Sequence, residues 1–129
     1  MIEADTKPNA RIPSPSIAPA DLAIDRVHLA RMTLGDKHLE AEVLALFDRQ
    51  AGLLLARMRQ GLPAAVGAYA HTLKGSARGI GTWRVAEAAE AVECAACVTG
   101  AADLADAIDR LAAAIAEAQA AIAELAGAS

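Results

Sequence analysis

Ala70-His71-Thr72-Leu73-Lys74-Gly75-Ser76-Ala77-Arg78-Gly79-Ile80-Gly81 interrupts an otherwise amphipathic chain with a histidine, two cations and three glycines. With the residues from Pro63 onward it predicts one helix over about 63–78, ended by Gly79-Ile80-Gly81. At about 100° per residue and with Val66 as origin, Val66, Tyr69, Ala70, Leu73 and Ala77 fall within roughly 60° of one direction, the face expected to be buried. His71, Lys74, Gly75 and Arg78, with Gly67 one turn earlier, fall at roughly 80° to 180° on the same wheel and form one solvent-facing strip.

Working outward, helices flank this segment on both sides. Residues 1–20 hold four of the five prolines without any apolar period and read as a disordered leader, leaving 21–127 as one domain. Asp21 or Asp25 caps a short first helix carrying Ile24, Val27, Leu29 and Leu34, and Gly35-Asp36 supplies a stop and a fresh cap. From Lys37 to about Gln60, Leu39, Val43, Leu46, Phe47, Leu54 and Met58 recur at helical spacing as the expected inner face. Gly61-Leu62 ends that helix, and Pro63 suits the first position of the next.

Thr82 is the expected cap of a fourth helix with Val85, Ala88, Ala89, Val92 and Ala96 inward, closed by Thr99-Gly100. A fifth, about 101–126, spaces Leu104, Ile108, Leu111, Ile115, Ala118, Ile122 and Leu125 by four and three, a period suited to near-parallel packing. Long helices with short connections give the expected fold: all-α, an antiparallel up-down four-helix bundle with an additional short N-terminal helix as a lid.

Composition agrees and narrows the function classes. The 129 residues are 55% apolar but only 2% aromatic, and no run reaches the roughly 18 apolar residues that cross a bilayer. The N-terminus lacks the basic start and apolar centre of a signal peptide, so the expectation is a cytoplasmic, monomeric protein with no membrane partner. The Met1 start and the leader add the expectation of a stand-alone chain.

Net charge is −4, yet no acidic residue lies between Asp48 and Glu87, a span holding Arg49, Arg57, Arg59, Lys74, Arg78 and Arg84. That asymmetry suits an anionic group or an acidic partner surface, while acidic overall charge and scarce aromatics argue against nucleic acid. Cys94 and Cys97, three apart on a helix, lack the further ligands of a metal site and read as ordinary thiols. His28 and His38 read as ordinary surface residues, and Trp83 as a core or helix-start anchor.

The strip has a definite chemistry. An ordinary imidazole titrates near 6.5 and keeps a lone pair at neutral pH, which makes it a nucleophile toward phosphorus. Lys74 and Arg78, at i+3 and i+7 from His71, supply positive charge where a phosphoryl group needs it, and Gly67 and Gly75, at i−4 and i+4, leave the ring unhindered. The segment offers no carboxylate, no base-activated serine or cysteine and no acidic cluster for Mg²⁺. It is half an active site, whose metal and carboxylates must come from a partner.

His71-Thr72-Leu73-Lys74-Gly75-Ser76, with Gly81 ten residues after the histidine, resembles the H-x-L-K-G-[SA] signature of histidine-containing phosphotransfer (HPt) domains. The resemblance covers about 21–126, including Ile24-Asp25, Gly35-Asp36 and Leu46-Phe47. It implies that His71 carries a phosphoryl group between the aspartates of receiver domains in a phosphorelay, that Lys74 supports the phosphoryl charge and that Gly75 keeps access open. It implies a carrier rather than an enzyme, with no cofactor of its own and Mg²⁺ in the partner receiver. Arg78-Gly79 departs from the small residue and asparagine often found there, leaving Arg78 either a phosphate contact or a partner-selecting charge. Two other classes stand beside the carrier: a docking module that binds a receiver without accepting phosphate, and a phosphatase, for which the motif helix lacks a water-positioning carboxamide or carboxylate.

Overall fold

The computed structural model describes residues 22–98 and 101–128, and among them every regular element is a helix. These are α1 (Arg26–Met32), α2 (Lys37–Met58), α3 (Pro63–Ile80), α4 (Trp83–Val98) and α5 (Ala101–Ala128). The long helices contact one another in a ring, α2 on α3, α3 on α4, α4 on α5 and α5 on α2, with α1 against α3. The expected leader and the Thr99-Gly100 stop lie outside the described residues.

Local chemistry sets the boundaries. The Asp25 carboxylate accepts the His28 N–H at 2.9 Å and caps α1, and the Asp36 carboxylate accepts the N–H groups of His38 and Leu39 to start α2. Pro63 opens α3, where its missing N–H costs nothing. The helix runs through Gly79 and Ile80 and stops only at Gly81, whose left-handed φ of 85° lets its N–H reach the Ala77 carbonyl. Thr82 holds the expected position just before α4, its carbonyl accepting the Ala86 N–H at 3.0 Å. Its buried hydroxyl, however, turns back to donate to the Ala77 carbonyl at 3.2 Å and so also closes α3.

The core takes Phe47, Leu54 and Met58 from α2, Val66, Ala70, Leu73 and Ala77 from α3, Val85, Ala89 and Val92 from α4, and Ile108, Leu111, Ile115, Ala118 and Ile122 from α5. Four assignments on the N-terminal helices change, those of Val27, Leu34, Leu39 and Leu46. Val27 is exposed and Leu34 stands outside α1 in a left-handed turn, so Ile24 and Leu29 alone of the expected set are buried there. On α2, Leu44 and Ala51 point inward while Leu39 and Leu46 face solvent. The helix carries leucines on two faces, so its apolar direction is ambiguous until α3 and α5 choose one.

Trp83 anchors the start of α4 without entering the core. Its Nε1–H donates to Asp25 Oδ2 at 2.9 Å and its ring lies 4.9 Å from that of His28, whose Nε2 donates to the Arg78 carbonyl. The Asp25 N–H donates to the Gly81 carbonyl at 2.8 Å, which brings the two backbones together. A Cβ on Gly81 would meet the Asp25 carbonyl oxygen at 2.9 Å. Gly81→Ala is therefore expected to lose about 1–3 kcal/mol, seen as a lower urea midpoint. Gly35→Ala, also at positive φ but with open space around it, is expected to lose less.

Candidate functional site

α3 presents His71 to solvent, and α4, packed along it, supplies what the motif helix lacks. The imidazole is 67% exposed and its Nδ1 lies 2.9 Å from Glu93 Oε2. Oε1 of the same carboxylate is shut off from solvent and lies 2.9 Å from Lys74 Nζ. Glu93 thus bridges His71 and Lys74. The Lys74 contact, reinforced by the His71 bond, holds its carboxyl below the ordinary range against the opposing effect of desolvation.

A carboxylate only accepts hydrogen bonds, so Nδ1 carries the proton in this contact and the lone pair of the neutral ring sits on Nε2. Beside the ring lies an open groove of about 490 Å³ whose lining includes Pro63, Gly67, Ala68, Glu93 and Cys97. A nucleophilic nitrogen at the mouth of a shallow, largely apolar groove suits attack on a group delivered by a docking partner.

The expected strip is therefore changed in composition. Lys74 is only 15% exposed and its charge is committed to Glu93, while Arg78 lies 3.4 Å from Glu90. The local positive charge read along the chain is offset by α4, because Glu87, Glu90 and Glu93 recur every three residues along one side of that helix. Glu93 was missed because it lies 22 residues from His71. The available signal was this carboxylate row, which begins where the acid-free span ends.

Gly67 is partly buried against α4, with room for a Cβ at an ordinary 3.6 Å from Ala96, so it belongs to the groove wall as much as to the exposed strip. Gly75 is exposed in mid-helix with nothing near an added Cβ. Gly75→Ala is accordingly expected to raise stability by about 0.5–1 kcal/mol and yet to slow any reaction of His71 with a macromolecular partner. Thermal melting and a transfer assay on one preparation separate the two effects. Cys94 and Cys97 are exposed free thiols, and among the described residues no three His, Cys, Asp or Glu side chains are grouped to hold a metal.

Glu93 and Asp25 are both held below their ordinary values, 4.5 and 3.8; the main causes are the Lys74 contact for Glu93 and the His28 N–H for Asp25. A depressed folded-state pKa means that the unfolded chain takes up the proton first, so the stabilisation is complete above the unfolded value and is lost as pH falls through the folded one. The urea midpoint is expected to fall as pH drops below about 4.5, and Glu93→Gln to flatten part of that slope.

Residues 39–125 match the family model described as Hpt domain. No curated protein and no solved structure matches the chain.

Proposed function

Because the chain belongs to the Hpt domain family, which serves phosphotransfer in two-component signalling, we propose that it is a phosphorelay carrier, His71 taking a phosphoryl group from the aspartyl phosphate of one receiver domain and passing it to the aspartate of another. The observation that carries this reading is the exposed imidazole at the groove mouth with Nδ1 held by Glu93 at 2.9 Å. The four long helices are read as an antiparallel up-down bundle. In support, Asp48 and Arg59 of α2 meet Gln119 and Asp109 of α5 in reverse order, and Arg78 and His71 of α3 meet Glu90 and Glu93 of α4 likewise.

In the forward step the P–O bond of the aspartyl phosphate breaks as a P–N bond forms at Nε2, and the aspartate leaves as a carboxylate. The ring keeps its Nδ1 proton and acquires positive charge, which the Glu93 carboxylate beside it offsets. Lys74 acts first through Glu93, fixing its orientation, and an incoming phosphoryl group competes for the same ammonium. Arg78, paired only at the surface with Glu90, is available to a partner or to the phosphate. Gly75 keeps the approach open. Mg²⁺ and the acidic residues that hold it belong to the receiver, so the chain acts as a carrier and not as an enzyme, in the cytoplasm where receivers act, without nucleic acid or membrane as partner.

The test is transfer from a phosphorylated receiver in the presence of Mg²⁺. Acid-labile, alkali-stable label on this chain is the expected result. A receiver complex that leaves the chain unlabelled would overturn the proposal in favour of simple docking, and free phosphate released with no labelled intermediate would do so in favour of hydrolysis.

A further inference from the structure

The outward face of α2 holds an ordered row of side chains that the bundle does not use. Leu39, Leu46 and Leu53 are 39%, 58% and 53% exposed and recur every seven residues, so they stand in line about 10 Å apart. Glu42 and Arg49, both exposed, fill the intermediate positions, giving the three-and-four spacing of a two-helix seam. The other face of α2, with Leu44, Phe47, Ala51, Leu54 and Met58, is the one buried in the bundle. Solvent-facing leucines in a row are an unpartnered apolar stripe.

The order of this row is self-complementary in one direction only. Turned end for end about Leu46, a second copy sets its Leu53 against Leu39 and its Leu46 against Leu46. The same rotation brings Arg49 of the second copy to within one residue, about 1.5 Å of helical rise, of the level of Glu42. A parallel pairing in register would set Glu42 on Glu42 and Arg49 on Arg49, a like-charge arrangement. Both charges are available: Glu42 has only the exposed His38 at 3.6 Å, and Arg49 has no hydrogen bond or ion pair among the described residues.

We propose that this face binds a second copy of the chain, in a two-fold antiparallel contact of α2 on α2. The seam spans about 21 Å of helix, which puts the interface at or below about 1,200 Å² in total and makes the association weak and concentration-dependent. This replaces the expectation of a monomer at high protein concentration. The proposal rests on the α2 row alone and stands independently of the phosphotransfer reading.

Sedimentation equilibrium from about 10 µM to 1 mM tests it, with the mass expected to climb from 13.2 kDa toward twice that value. Leu46→Glu, at an exposed position, is expected to stay monomeric with an unchanged helical melt. Glu42→Arg and Arg49→Glu should each weaken association at least tenfold, whereas the double variant, or a mixture of the two single variants, should restore it. A wild-type chain that stays monomeric at 1 mM overturns the proposal. So does Leu46→Glu that associates like the wild type, or charge reversals that weaken association but fail to compensate each other.

Discussion

His71→Gln is expected to abolish phosphoryl acceptance, a loss of more than about 10³-fold, equivalent to about 4 kcal/mol in the transfer barrier. The glutamine amide is close to the ring in size but its nitrogen lone pair is delocalised, so a correctly docked receiver finds no nucleophile. Neither remaining histidine can substitute. His28 donates from Nε2 to the Arg78 carbonyl and lies against Trp83, and His38 sits at the start of α2 beside Glu42. His28→Gln and His38→Gln should therefore keep their label. Because His71 is exposed, the variant should melt like the parent, and full labelling of His71→Gln would end the carrier reading.

Glu93→Gln is expected to slow transfer by roughly 10- to 100-fold while the helical content stays unchanged, the range found when a group that orients a reacting imidazole is altered. Two effects combine. The amide can present its NH₂ to Nδ1, which favours the tautomer with the proton on Nε2 and removes the lone pair from the reacting nitrogen. It also removes the charge that offsets the ring in the phosphorylated state and releases Lys74 from its partner at 2.9 Å. The pH profile of transfer should move with the substitution, which a purely structural role for Glu93 would not produce. Wild-type rates and an unmoved profile in Glu93→Gln would remove Glu93 from the mechanism.

How much of this was legible in the chain depended on whether a residue's role was set within its own helix. The inner face of α3 and the Asp36 cap follow from spacings of a few residues, and the structure bears them out. α5 was equally readable, because its leucines and isoleucines hold one direction over its whole length. α2 was misread at Leu39 and Leu46, since its leucines occupy two faces and only contact with α3 and α5 selects between them. Glu93 lay beyond the same horizon. Nothing along α3 indicates that a carboxylate from α4 will span His71 and Lys74, and the cations counted there as free positive charge are paired across the helix interface. Charge read along a chain is a poor guide to charge at a site once a second helix is laid against it.

The most direct test of the account is to locate the phosphoryl group at atomic level. The chain, labelled with ¹⁵N-histidine and phosphorylated by a receiver and Mg²⁺, is examined by nitrogen and phosphorus NMR. The account predicts one phosphohistidine, at His71, with phosphorus on Nε2 and the proton retained on Nδ1 toward Glu93. Phosphorus on Nδ1, on His28 or on His38, or a chain that takes up none, would contradict it.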